Sequence, residues 1–305
     1  MVILDYQQFE DLLVDYLRKL SPEAEIVVTD VRKNNDVKLR GVSIKKEEES
    51  ISPTVYLQGY YRYYSEETCE EDIEIIANKI LELIECGRKE RELFSNVEKL
   101  TDFDEVANNI FYTVVNIDKN RELLKEVPHR IVLDLAVVYK IHVNMKDGTT
   151  GSVQIKNDLL KHWNTSEKEL FHLAEQNTER MFGTVFKGMG EMLIELSKNT
   201  IPDYLLQPME EENGMFVSTN TTKTFGAVNV FLNDGFRAKI QDKIGDFYIL
   251  PSSIHETIIV KHDNSIRAKA LKDMVHEVNR TELDPMEYLS DNVYLCKDNV
   301  IQICN

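Results

Sequence analysis

The apolar residues of this chain switch between two periods along its whole length, and that alternation excludes an all-helical or an all-strand fold. Phe9, Leu12, Leu13, Tyr16, Leu17 and Leu20 recur at the spacing of one helical stripe. Ile73, Ile76, Ala77, Ile80, Leu81 and Ile84 repeat the pattern after a Thr68/Glu71 capping pair, and Gly87 predicts the helix end. Between these helices, "EIVVTDVRKNNDVKLRGVSI" reads as a hairpin turning at Asn34-Asn35-Asp36, residue types that tolerate the left-handed backbone of a tight turn.

The same alternation continues to the C-terminus. Strand, short helix and strand are expected over "NIFYTVVN", "DKNRELLKEVP" and "DLAVVYKIHVN", then a strand at "GSVQI" and a helix opened by a Ser166/Glu169 capping box. A further helix is expected through "FKGMGEMLIELSK". Beyond residue 214 the expectation is strand (215 to 219), strand (226 to 232), helix from an Asp234 cap, strand (246 to 250), strand (254 to 260), helix and a terminal strand pair. Two strand-helix-strand passages of similar length raise the question of an internal duplication. The fold expected is α+β: two mixed α/β lobes with largely antiparallel sheets, residues 1–160 and 214–305, joined by a helical connector and acidic linker over 161–213.

Composition narrows the chemistry. A net charge of -17 removes the clustered Lys and Arg that direct nucleic-acid binding requires. No apolar run approaches the roughly 18 residues of a membrane span, and the start lacks a basic n-region, so a cytoplasmic protein is expected. The four cysteines form no C-x-x-C pair, and His255 and His276, each followed by Glu, lack the second histidine four residues on that would place two metal ligands on one helical face. "GTVFKGMG" has Walker-like glycine spacing, but Met189 and Gly190 stand where Lys and Ser or Thr must reach phosphate and magnesium. Neither a metal nor a cofactor is therefore expected.

Two stretches carry side chains worth weighing. In "VYLQGYYRYY" a helical reading puts Tyr56, Tyr60, Tyr63 and Tyr64 on one face, which either stacks on a ligand or packs on the hairpin. In "FYILPSSIHETIIV", Ser252, Ser253, His255 and Glu256 lie between two apolar runs, as a strand-to-strand corner or as part of a hydrolase site. Alternation groups Glu256 with Ile254, Ile258 and Val260, so an isoleucine-lined core would draw that carboxylate inward, where it must be paired or protonated.

Taken together, "KNNDVKLRGVSI", "SPTVYLQGYY", "DLAVVYKIHV", "LAEQNT", "FYILPSSIHE" and "VNRTELDPMEYLSDNVY" resemble a family of bacterial proteins, largely from anaerobic gut-dwelling species, that carries only a domain-of-unknown-function label. The resemblance covers nearly the whole chain, and the last two motifs are its most specific part. It implies one full-length unit in a bacterial cytoplasm and brings no catalytic residue; the family's hairpin prefers Asn-Gly where Asn35-Asp36 stands here. The role expected is a non-catalytic binding or regulatory module for a protein or small ligand, held on the tyrosine face or between the lobes. Two alternatives compete: a hydrolase using His255 and Glu256 with Ser252 or Ser253, and an acidic nucleic-acid mimic presenting Glu47 to Glu49, Glu66 to Glu74 and Glu210 to Glu212.

Overall fold

The computed structural model describes residues 3–47, 52–67, 71–92, 100–144, 150–196, 214–251, 253–263 and 267–304. They form two compact units: Met1–Lys33, Val37–Val97 and Asn144–Thr150 in one, Asn34–Asp36, Glu98–Val143 and Gly151–Asn305 in the other. Ser252, Thr68, Glu48, Glu49 and Glu210 to Glu212 lie outside the described residues, as does the expected linker up to Asn213.

In the first unit, helix α1 (Tyr6–Leu20) opens on an Asp5/Gln8 capping box and buries Phe9, Leu13 and Leu17 completely. Strands β1 (Glu25–Arg32) and β2 (Lys38–Lys45) pair antiparallel from Glu25 opposite Lys45 to Arg32 opposite Lys38, and β3 (Thr54–Tyr56) adds to β2. Helices α2 (Gln58–Glu67) and α3 (Glu71–Glu92) complete the core with Tyr64, Ile73, Ile76, Ile80 and Ile84. α3 does not stop at Gly87. A Cβ there would stand 3.1 Å from Pro53 Cγ, so the glycine permits a close approach inside the helix, and Arg88 beyond it donates to the Ile44 carbonyl.

Arg40 on β2 reaches Glu10 with Nε and Nη2, at 2.8 and 2.9 Å from the two carboxylate oxygens. The Glu10 side chain is only 6% exposed, so this bidentate pair replaces its lost hydration, and it holds the guanidinium above its ordinary value. We predict that Arg40→Met lowers stability by about 3 kcal/mol, because it strands a buried carboxylate. The double replacement with Glu10→Met should recover most of that loss. Urea denaturation checks both, and a single variant as stable as the parent would show the pair to be idle.

In the second unit, α4 (Phe103–Val106) leads into β4 (Ile110–Asn116), α5 (Arg121–Glu126), β5 (His129–Val132), β6 (Leu135–Asn144) and β7 (Thr150–Gln154), in sheet order β4-β6-β5 with β7 on β6. α6 (Asn157–His162) and α7 (Glu167–Phe182, with the Ser166/Glu169 capping box) follow. A six-stranded antiparallel sheet takes the order β13-β12-β10-β11-β9-β8. Its strands are β8 (Val185–Gly188), β9 (Met215–Thr219), β10 (Phe247–Leu250), β11 (Thr257–Lys261), β12 (Tyr294–Lys297) and β13 (Val300–Ile303). Between them lie α8 (Met189–Leu196), α9 (Val228–Leu232), α10 (Asp234–Ile244) and α11 (Ala268–Thr281). The α+β class with antiparallel sheets is thus what the chain adopts.

Several local expectations differ from this outcome. Residues 228–232 are helical, and Val228, Val230 and Phe231 of this turn are buried in the second unit's core. That also separates the two passages suspected of duplication, since one opens on strand β4 and the other on helix α9. "FKG" belongs to β8 and the helix starts only at Met189. The sequence boundary between 1–160 and 214–305 cuts through one core: Ile110, Tyr112, Val137 and Tyr139 pack in the same cluster as Val228, Phe236, Ile249 and Tyr294.

The segment "DPMEYLSDN" forms turns, and its backbone carbonyls act as receptors. Asn34 Nδ2 donates to Met286 O at 2.6 Å, Asn35 Nδ2 to Pro285 O and Tyr288 O at 2.9 and 2.7 Å, and Asn116 Nδ2 to Leu289 O at 2.9 Å. Asp134 accepts from Tyr294 Oη, Ser290 Oγ and Asn292 Nδ2 at 2.8, 2.7 and 3.0 Å. The most distinctive motif of the chain is therefore structural: it satisfies polar groups that burial would otherwise leave unpaired.

Candidate functional site

The corner after β10 is a set of backbone ties. Ser253 is buried; its Oγ accepts from His255 N–H at 3.0 Å, and its own N–H donates to Glu256 O at 3.2 Å. Nδ1 of His255 accepts from Phe225 N–H at 3.1 Å, so in the neutral ring the proton sits on Nε2, which faces Glu287 Oε1 at 3.5 Å. A histidine base needs a bare nitrogen against its nucleophile. Here the bare nitrogen holds Phe225, whose φ of 58° is a left-handed position for a bulky residue. Gly226 beside it is obligatory, since a Cβ would come within 2.5 Å of Thr219 Oγ1 and 2.8 Å of His255 O.

Glu256 is not drawn into the core. β11 begins one residue later, at Thr257, and the fully buried positions are Thr257 and Ile259, the parity opposite to Glu256. The alternation was continuous in the sequence, but the chain bends at 254 to 256 and resets its phase.

The tyrosines do not share one face. Tyr56 ends β3, with Lys33 Nζ 4.2 Å from its ring centroid, while Tyr64 is 3% exposed inside the first unit's core. Tyr60 is half-buried, its phenol pushed up by burial, and Tyr61 packs edge-on against Tyr6 at 5.0 Å. Tyr63 alone of the named four is well exposed, with Lys79 Nζ 5.8 Å from its ring centroid. Desolvation explains this: a helix laid on α1 must bury one stripe, and aromatic bodies supply it.

A cleft of about 290 Å³ opens elsewhere in the second unit, at the meeting of β4, α7 and the α9–α10 corner. Helical spacing puts Glu175, Thr178 and Glu179 of α7 on one wall. Asn229 and Asn233 form the opposite wall, with Asp234 and Gly235 in the first turn of α10. Asn233, and not Asp234, caps α10, its Oδ1 accepting from Phe236 N–H at 2.9 Å.

The hydroxyl of Tyr112 distinguishes this cleft. The residue is 4% exposed, lies on the core-facing side of β4 and lines the cavity, yet its hydroxyl has no hydrogen-bond partner among the described residues. The ring is buried, and the hydroxyl opens onto the cleft. Burial first, and then the charges of Glu175, Glu179 and Asp234, push its pKa up, so the group is a neutral hydroxyl at any physiological pH. Among the described residues no cluster of three or more His, Cys, Asp or Glu could hold a metal ion. The signal for this site in the sequence was a tyrosine at an inward position of a mostly apolar strand, but its partners come from segments more than sixty residues away.

The second unit is an antiparallel α+β scaffold with a small polar cleft, and its Ser253 and His255 are engaged in backbone ties. The chain belongs to DUF5688, a family of unknown function, whose model matches residues 6–297. No curated protein and no solved structure matches it.

Proposed function

We propose that the protein is a non-catalytic binding module that takes a small ligand in the Tyr112 cleft, and that it works in a bacterial cytoplasm. The observation that carries the reading is the unpaired hydroxyl of a residue 4% exposed at the base of a cavity of about 290 Å³, close to the lower end of typical ligand sites at roughly 300 Å³. Burial pushes the Cys296 thiol up to about 11, which makes it inert. No described helix is long and apolar enough to cross a membrane.

A thermal-shift screen of a metabolite library against the full chain tests the proposal. Compounds that raise the melting temperature of the parent and lose that effect in Tyr112→Phe are the expected result. A library with no such compound, or hits that stabilise both proteins equally, would remove the cleft from consideration.

A further inference from the structure

We infer that the ligand of this cleft is an organic cation with donors spread over its length, a guanidinium or a diamine. The inference rests on the binding reading above and adds the chemical class. It follows from counting what the walls still offer. Apart from the Tyr112 O–H and the second N–H of Asn233 Nδ2, the side-chain donors are spent inward: both contacts of Asn229 Nδ2 go to Gly183 O and Thr219 O at 3.1 Å, Asn233 Nδ2 goes to Glu179 at 2.8 Å, and Thr178 Oγ1 goes to Ala174 O at 2.7 Å. The acceptors are in surplus. Each carboxylate accepts about four hydrogen bonds. Glu179 uses one on Asn233, Asp234 pairs with Arg237, and Glu175 makes no hydrogen bond or ion pair among the described residues. No cationic side chain lines the cavity.

The competing ligand classes fit less well. The N-terminus of α10 would favour an anion. Its first turn, however, already carries Asp234, and Asn233 occupies the Phe236 N–H. A bare metal ion needs ligands converging on one point, and the carboxylates here do not cluster that way. Carboxylates spaced along two walls suit a cation whose N–H groups are likewise spaced, with the Tyr112 hydroxyl accepting one of them.

Isothermal titration of the full chain with agmatine, which carries a guanidinium and an ammonium, tests this beside glutarate and 1,4-butanediol as anionic and neutral probes. The expected result is saturable binding of agmatine alone, weakened about tenfold by Glu175→Gln and about fivefold by Tyr112→Phe. Tyr112→Phe leaves the net charge of -17 unchanged, so its effect separates a site from general attraction by an acidic surface. Circular dichroism identical to the parent would show that both variants fold. Agmatine binding equally to all three proteins, or none at all, overturns the inference. Glutarate or butanediol binding that depends on Tyr112 would overturn the cation while leaving the cleft as a ligand site; no Tyr112-dependent binding of any probe or library compound would remove both.

Discussion

Asp134→Ala is expected to destabilise the second unit by about 4 kcal/mol, the largest single-residue effect outside the apolar core. The carboxylate terminates three donors, Tyr294 Oη, Ser290 Oγ and Asn292 Nδ2, and the first two belong to residues 0% and 1% exposed. Removing it leaves the buried Tyr294 and Ser290 hydroxyls with only each other to bond, which costs more than the bonds to Asp134 themselves contribute. The preceding Leu133 sits at φ 59°, a left-handed position that costs a branched side chain roughly 1–2 kcal/mol and persists because Asp134 anchors the turn. Asp134→Asn keeps one acceptor oxygen and should cost about half as much. Urea midpoints decide it, and a loss below about 1 kcal/mol for the alanine variant would mean the donors find other partners.

Asn35 offers the second large effect, and its replacements separate two causes. Its side chain donates to Pro285 O and Tyr288 O and accepts from Asn120 Nδ2 at 2.8 Å, while its backbone holds φ 60°. Asn35→Gly keeps the left-handed backbone and loses the side-chain bonds, for an expected cost of about 3 kcal/mol. Asn35→Ala loses both, and should cost about 1 kcal/mol more. Equal losses would show that the turn conformation is not under strain. Glycine as stable as the parent would show that the three hydrogen bonds contribute nothing net.

What could be read from the sequence was whatever depends on residues near one another in the chain. The α1 stripe from Phe9 to Leu17 repeats over about two and a half turns, and the Ser166/Glu169 box satisfies its own backbone, so neither needed tertiary context. The hairpin turn at Asn35-Asp36 was legible because few residue types adopt φ values of 60° and 54°. Short apolar runs were not. "VNVFL" carries no period long enough to separate helix from strand, and packing in the second unit's core decides it. The inward reading of Glu256 failed for a related reason: a bend of three residues resets strand parity, and parity is the whole content of an alternation argument. The cleft was least legible of all. Tyr112, Glu175, Glu179 and Asp234 are ordinary residues from three elements, and only the fold brings their acceptors together.

The central claim is that the Tyr112 hydroxyl is a ligand contact. NMR titration of the chain labelled with ¹³C at the tyrosine ε positions tests it most directly, with Tyr112→Phe assigning the one signal that matters among 13 tyrosines. The account predicts that saturating agmatine moves the Tyr112 signal and leaves that of fully buried Tyr139 in place. A titration that leaves Tyr112 unmoved, or shifts all the ring signals alike, would contradict it.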